Sequence, residues 1–172
     1  MAEHTPLVVV MGVSGSGKST IGKYLADRLG VRFVDGDDLH PAANIRKMAA
    51  GHPLTDADRW PWLARIGRAL TEAEDTGLVI ACSALKRAYR DAILAEEPRA
   101  VFLHLVARRD VIADRLSHRG GHFMPTSLLD SQLATLEPLA PDEPGREIDV
   151  GRDVATVVDD AMAALPALAA RR

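Results

Sequence analysis

Several features that would assign a chain to a particular class are absent or scarce in this sequence. Cys82 is the only cysteine in 172 residues, so no internal disulfide can form and a reducing compartment is the simpler expectation. No apolar run approaches the roughly 20 residues of a membrane helix, and the first residues lack the basic start and apolar stretch of a signal peptide. The net charge of −3 lacks the basic excess of proteins that bind nucleic acid or membrane surfaces. We therefore expect a cytoplasmic protein with neither nucleic acid nor membrane as a partner.

What the sequence does contain is an ordinary globular composition, with 47% apolar and 26% charged residues. Short apolar runs alternate with stretches of helical periodicity. Strands are expected at residues 7–11, 31–34, 78–81, 101–106 and 147–150. Helices are expected at residues 19–29, 41–50, 55–77, 86–96, 110–120, 127–136 and 153–165, with a fraying tail after Pro166. The alternation predicts an α/β fold with a parallel sheet covered on both faces. No repeat, linker or composition shift marks a second domain, so residues 1–172 are expected to form a single domain.

The first expected strand runs directly into a phosphate-binding motif. Residues 12–19 read G-V-S-G-S-G-K-S, which fits G-x-x-x-x-G-K-[ST] at every fixed position, with a strand before it and a helix after it. Glycines allow the backbone amides to point at phosphate oxygens, and the helix N-terminus adds the positive end of its dipole. A chance glycine-rich turn would lack this context. The predicted nucleotide-binding residues are Gly12, Val13, Ser14, Gly15, Ser16, Gly17, Lys18, Ser19 and Thr20, with Lys18 at the transferring phosphoryl and Ser19 on Mg²⁺.

Two further absences narrow the class of phosphate-loop protein. A GTPase needs an N-K-x-D tetrapeptide to read its base, and the sequence contains none. A motor protein needs several hundred residues and an acidic pair at a strand end, whereas the third expected strand ends at Cys82 and Ser83. The remaining interpretation is a compact phosphotransferase that uses a nucleoside triphosphate.

An acidic turn, Asp35-Gly36-Asp37-Asp38, follows the second expected strand. Ligands of open α/β sheets bind at the carboxyl ends of the strands, where the phosphate loop also lies. We therefore expect Asp35 to hold Mg²⁺ through water, and Asp37 to accept a hydrogen bond or a proton from a substrate hydroxyl. The alternative is an ordinary Asp-Gly turn. For Asp38 we favour that alternative, as a cap of the next helix.

Several motifs on the acceptor side resemble those of the gluconokinases. They are D-G-D-D-L-H-P at residues 35–41, N-I-R-K-M at 44–48, D-x-D-R at 56–59, P-W-L at 61–63, C-S-A-L-K at 82–86, Y-R-D at 89–91 and G-H-F-M at 121–124. The resemblance as a whole covers roughly residues 7–150. The first motif and C-S-A-L-K are far more specific than the phosphate loop alone.

This resemblance implies ATP-dependent phosphorylation of D-gluconate at its 6-hydroxyl. It also implies a kinase fold of the shikimate kinase and nucleoside monophosphate kinase type, with five parallel strands in the order 2-3-1-4-5, and a cytoplasmic homodimer. Gluconate offers one carboxylate and a row of hydroxyls, so its site needs cations together with carboxylates or amides. Within an acceptor region at about 36–63 and nearby motifs, the candidate substrate-binding residues are Asp37, His40, Asn44, Lys47, Arg59, Ser83, Lys86 and His122. His40 is expected among the cations. Arg59 could instead be a surface arginine paired with Asp56 or Asp58.

A mobile lid is expected at about residues 118–127, where Gly120 and Gly121 adjoin Arg119. Arg119 is expected to stabilise charge on the transferring phosphoryl, and Arg115 to contact the nucleotide. The alternative is a helix end at Gly120 with ordinary surface arginines. The sequence indicates no particular residue that would recognise the adenine base, although residues 139–152 are candidates for contact with it.

Two other functions remain open from the residues alone. The acidic turn would also suit a shikimate kinase-like enzyme for another small hydroxy acid. A non-catalytic nucleotide-binding module is a further alternative, although Lys18, Asp37 and Arg119 argue against it. Those three residues are the predicted catalytic groups.

Overall fold

The computed structural model describes residues 4–118 and 126–171, and a five-stranded sheet forms its centre. The strands are β1 (Leu7–Met11), β2 (Arg32–Asp35), β3 (Leu78–Ala81), β4 (Val101–Val106) and β5 (Gly145–Asp149). Their order is β2-β3-β1-β4-β5, and each neighbouring pair is parallel. The predicted α/β class and strand order are therefore confirmed.

Helices connect these strands and cover both faces of the sheet. They are α1 (Lys18–Leu29), α2 (Ala42–Ala49), α3 (Asp56–Glu72), α4 (Arg87–Glu96), α5 (Arg109–Ser117), α6 (Thr126–Thr135) and α7 (Val154–Ala170), with a short 3-10 helix at Gly36–Leu39. A capping box begins α3, because the Thr55 hydroxyl accepts from the Asp58 amide while the Asp58 carboxylate accepts from the Thr55 amide. Within the described ranges, no helix is long and apolar enough to cross a bilayer.

Successive side chains along each strand point to opposite faces of the sheet, which divides the core into two layers. Val8 and Val10 of β1 belong to the cluster that packs against α1 and α7, whereas Val9 and Met11 belong to the cluster against α3 and α4. A third, smaller cluster lies beneath the functional edge and joins the phosphate loop to α5 and α6; its buried members are Val13, Leu85, Ile112, Leu116 and Leu129.

Some local predictions are wrong, among them the end of α3, which lies at Glu72 rather than at residue 77. β5 begins at Gly145 rather than residue 147, because Gly145 pairs with Phe102, where a Cβ would come within 2.8 Å of the Phe102 carbonyl oxygen. The tail after Pro166 does not fray: α7 continues to Ala170 because Leu168 is buried in the core, which offsets the hydrogen bond lost at Pro166. The helix α5 ends at Ser117, before the predicted end at Gly120.

Candidate active site

The phosphate loop lies at the carboxyl end of β1 and leads directly into α1. Gly12, Gly15 and Gly17 all have positive φ values, of 145°, 82° and 94°, which residues with a Cβ rarely adopt. The Lys18 ammonium donates to the Val13 carbonyl oxygen at 3.1 Å, so the lysine folds back over the loop. This arrangement is a preformed nest of amides at a helix N-terminus, which suits a polyphosphate.

The acidic turn brings oxygen ligands next to this loop. Asp35 is the last residue of β2, and its Oδ2 accepts from the Ser19 hydroxyl at 3.3 Å while Oδ1 accepts from the Asp37 amide at 3.0 Å. Asp35 therefore caps the 3-10 helix, and Asp38 lies within it. The cap predicted at Asp38 for the next helix is wrong, because α2 has Pro41 at its N-cap and no side-chain cap. Gly36 is required here, because a Cβ would come within 2.5 Å of the Ala81 carbonyl oxygen. One hydroxyl and one carboxylate are the hard oxygen donors that Mg²⁺ prefers when phosphates and water complete its shell.

Asp37 follows at the beginning of the 3-10 helix. Partial burial, and secondly the nearby charge of Asp35, raise the pKa of its carboxyl, although the side chain still reaches solvent. His40 and Lys18 act in the opposite direction. A carboxylate with a raised pKa is a better proton acceptor than an ordinary surface aspartate, which agrees with the role expected for Asp37.

Two predicted substrate cations meet at one carboxylate, Asp56. The Tyr89 hydroxyl donates to Asp56 Oδ1 at 2.5 Å, the Lys86 ammonium lies 3.5 Å from Oδ2, and the Arg59 guanidinium lies 3.6 Å from Oδ1. The hydrogen bond from Tyr89, and then the charge of Lys86, lower the pKa of Asp56. Arg59 also donates to the Leu54 carbonyl oxygen at 2.8 Å. The pairing of Arg59 with Asp56 thus occurs, but within a cluster that also contains Lys86.

His40 occupies the same region. Its ring stacks on Trp62 at 4.1 Å between centroids, and burial lowers its pKa. The Asn44 Nδ2 donates one hydrogen to the Asp58 carbonyl oxygen at 2.9 Å and lies 3.2 Å from His40 Nδ1. The Asp58 carbonyl oxygen can only accept, so the Asn44 atom that faces it is the amide nitrogen, which can only donate. His40 Nδ1 therefore accepts from the same nitrogen, and the proton of the neutral imidazole is on Nε2. This arrangement and the lowered pKa favour a neutral His40 that donates from Nε2 over the positive charge expected from the sequence.

Lys47 joins α2 to the beginning of α3. Its ammonium lies 2.5 Å from Asp58 Oδ2. This contact, followed by the hydrogen bond from the Thr55 amide, lowers the pKa of Asp58 to about 2. The structure thus places Lys47 in the acceptor region with an ion-pair partner of its own.

The turn between β3 and α4 completes the acceptor side. Its Ser83 carbonyl oxygen accepts from the Gly12 amide at 3.2 Å, which joins this turn to the phosphate loop. Ala84 has a φ of 44°, the only positive value at a non-glycine residue in the described ranges. Such backbone costs on the order of 1–3 kcal/mol and persists only where the surroundings impose it.

A cleft of about 270 Å³ opens on the other side of the phosphate loop, next to α1 and α7. Thr20 and Arg115, both predicted nucleotide contacts, line it together with Val150 and Arg152. The Arg115 guanidinium donates to the Val150 carbonyl oxygen. This position suits the nucleoside half of ATP.

Gln132 on α6 is a contact that the sequence did not indicate. Its Oε1 accepts from the Ser14 amide at 2.7 Å, and its Nε2 donates to the Ser14 hydroxyl at 3.1 Å. Gln132 belongs to no recognised motif, so nothing in the sequence distinguished it. The predicted contacts Arg119 and His122, with most of the lid at 118–127, lie outside the described residues.

Comparison with known proteins agrees with this arrangement. A family model described as shikimate kinase matches residues 14–137. A gluconokinase from Gluconobacter oxydans is 53% identical over 139 residues, which is 80% of this chain and 78% of that protein. The thermosensitive gluconokinase of Escherichia coli is 44% identical over 95% of this chain and 89% of its own length.

The likeness extends to three dimensions. A crystal structure of a gluconokinase from Sinorhizobium meliloti superposes with a TM-score of 0.87 at 47% sequence identity, covering 99% of this chain and 97% of that one. Because relatives of this similarity span most of both chains, the chain belongs to the gluconokinase family.

Proposed function

We propose that this protein transfers the γ-phosphoryl group of ATP to the 6-hydroxyl of D-gluconate. The observation that carries the proposal is a shared edge of the sheet. The phosphate loop with Lys18 adjoins the acidic turn with Asp37 there. The cations Arg59 and Lys86 surround Asp56 on the acceptor side, in a member of the gluconokinase family. Phosphoryl transfer needs positioning and charge stabilisation more than covalent chemistry, and both halves of this edge supply them.

ATP and Mg²⁺ are assigned to the β1–α1 side of the edge. The amides of residues 12–20 and the Lys18 ammonium would hold the phosphates, and the cleft beside Arg115 would hold the nucleoside. The Ser19 hydroxyl and the Asp35 carboxylate would hold Mg²⁺, Asp35 through water. When bound, this ion neutralises charge on the phosphate oxygens.

Gluconate is assigned to the other side. Asp37 orients the 6-hydroxyl and accepts its proton, which its raised pKa favours. Arg59 and Lys86 bind the substrate carboxylate, as their common position around Asp56 supports. The His40 imidazole donates from Nε2 to a hydroxyl, and the Ser83 hydroxyl contributes a further contact. Asn44 holds His40 in place, since its amide hydrogens are directed to His40 and to the Asp58 carbonyl oxygen.

The remaining assignments rest on the resemblance. Arg119 would stabilise the transferring phosphoryl, His122 and Lys47 would contact gluconate, and residues 118–127 would close over the site. A cytoplasmic homodimer is part of the same proposal, and light scattering after size-exclusion chromatography measures its mass.

The decisive experiment couples ADP release to NADH oxidation, with D-gluconate, shikimate and other hydroxy acids offered in parallel. We expect turnover with gluconate, and phosphorus NMR of the product should show a phosphomonoester at carbon 6. Lys18→Ala should abolish turnover, whereas Lys23→Ala, at an exposed position on α1, should not. A preference for shikimate would instead indicate another hydroxy acid kinase. ATP binding without transfer to any acceptor would indicate a binding module.

A further inference from the structure

The turn that presents Ser83 and Lys86 is held from beneath by a single buried arginine. Arg90 on α4 is 0% exposed, although it carries a charge. Its Nη1 donates to the carbonyl oxygens of Ala84 at 2.9 Å and of Leu85 at 3.3 Å. These two carbonyls belong to the strained part of the turn, where Ala84 has its positive φ. Arg90 therefore contacts the backbone whose conformation needs outside support.

The other donors of Arg90 reach the segment that follows α6. Its Nε donates to Glu143 Oε1 at 2.6 Å, and its Nη2 donates to Glu143 Oε2 and to the Glu137 carbonyl oxygen, both at 3.0 Å. A guanidinium has five N–H donors, and here each one has an acceptor. The geometry depends on the planar fork of arginine, which the single ammonium of lysine does not reproduce.

Glu143 is equally specific to this arrangement. It is 3% exposed, and its Oε2 also accepts from the Ala140 amide at 2.8 Å. Burial alone would raise the pKa of its carboxyl, but the hydrogen bonds from Arg90 and Ala140 outweigh burial and leave the pKa lowered. The carboxylate is thus ionised and fixes the direction of the Arg90 fork.

A second contact joins the same two segments. The Glu137 amide donates to the Leu85 carbonyl oxygen at 2.8 Å, and the Glu137 carboxylate accepts from the Arg87 amide at 3.1 Å. The turn is therefore bonded on one side to α4 and on the other to residues 137–143. Its Ser83 end also contacts the phosphate loop through the Gly12 amide.

We propose that Arg90 and Glu143 act as a pair of positioning residues for the acceptor substrate. They hold the 83–86 turn in the conformation that supplies Ser83 and Lys86 to gluconate. This inference rests on the proposed function, because the substrate of the turn is the acceptor. A pair with a structural role alone would change the stability of the fold and leave the affinities of the two substrates in their normal ratio.

The test compares two neighbouring ion pairs of the same chemistry. Arg90→Lys and Glu143→Gln alter the buried pair. Arg87→Lys and Asp142→Asn alter an exposed pair, in which the arginine and the aspartate are joined by two hydrogen bonds of 2.9 and 2.6 Å. We expect the buried variants to raise KM for gluconate at least tenfold and KM for ATP less than twofold. The exposed variants should change neither by more than twofold.

A second variant tests the role of the strained turn directly. Glycine adopts a positive φ without the cost that alanine bears, so Ala84→Gly should make the turn less dependent on Arg90. In the double variant with Arg90→Lys, Ala84→Gly should lower the raised KM for gluconate at least threefold. Equal changes in both KM values, or a fall in melting temperature with unchanged KM values, would refute the proposal. If Arg90→Lys does not fold, the same comparison of the two KM values is made on Glu143→Gln and decides between a positioning role and a structural role.

Failure of the proposed function is a distinct result. It would appear first as a wild-type protein without gluconate turnover. In that case the KM comparison is made with the acceptor that the wild type does use. A raised KM for that acceptor with an unchanged KM for ATP would support the positioning role, and equal changes would refute it.

Discussion

His104 offers a test of how the centre of this fold tolerates a titratable group. It lies on β4 in register with Met11 and is 2% exposed. Its Nδ1 is buried and has no hydrogen-bond partner in the part of the chain that the structure describes. Burial, and secondly the positive charge of Arg90, lower the pKa of His104 from 6.5 to about 4. The folded protein therefore keeps this imidazole neutral at pH values where the unfolded chain protonates it.

The size of the effect follows from that difference. A tenfold change in proton affinity corresponds to about 1.4 kcal/mol. The stabilisation is fully present above pH 6.5 and declines as the pH falls towards 4, because in that window the unfolded state binds a proton that the folded state does not. The free energy of unfolding should fall by about 2 kcal/mol between pH 7 and pH 5, and by about 3 kcal/mol by pH 4, from this residue alone.

Urea unfolding of the wild type and of His104→Leu, at pH 7 and pH 5, measures the contribution. Leucine fills an apolar strand position without a titrating group, so all other titrations cancel in the comparison. The wild type should lose about 2 kcal/mol more than the variant between the two pH values. His52→Leu, at an exposed position, should follow the wild type. If the wild type and His104→Leu lose the same amount to within about 0.5 kcal/mol, the burial argument for His104 fails.

Three further predictions concern the site. Asp37→Asn should lower kcat by about 10²- to 10⁴-fold with ATP binding nearly unchanged, since it removes a proton acceptor. The adjacent Asp38→Asn should have little effect. A mild effect of Asp37→Asn would mean that another group orients the hydroxyl. Lys86→Ala should raise KM for gluconate more than KM for ATP, and equal effects would place Lys86 outside the acceptor site. Gln132→Leu removes two hydrogen bonds to Ser14 and should raise KM for ATP by about 3- to 10-fold in steady-state assays, whereas an unchanged KM for ATP would show that the loop does not depend on them.

Much of the fold could be predicted because its signals are local. The predicted bounds of β1, β3 and β4 match the structure, since each is a short run dominated by apolar residues. The beginning of β5 could not be predicted, because glycine is usually a breaker and Gly145 enters the strand only through its close approach to Phe102. The end of α7 depends on the burial of Leu168, which is a tertiary property.

The site divides in the same way. The phosphate loop and the acidic turn are contiguous in sequence and adjoin strand ends, so Ser19 and Asp35 could be predicted to lie together. The Arg90–Glu143 pair spans 53 positions of sequence and joins residues whose types usually indicate surface. Only the structure reveals that both are buried, and so the support of the acceptor turn is invisible to sequence patterns.

The distribution of charge in the acceptor region bears on how an anion is recognised by a chain of net charge −3. Arg59 and Lys86 already share Asp56, and Lys47 is paired with Asp58. The acceptor region therefore does not produce a strong positive field, and long-range attraction contributes little to binding there. The Asp56 and Asp58 carboxylates instead hold long, flexible cations in place, so that part of the ordering entropy is lost before the substrate arrives. Selection of a sugar acid then depends on whether its carboxylate and hydroxyls fit cations and donors that are already oriented.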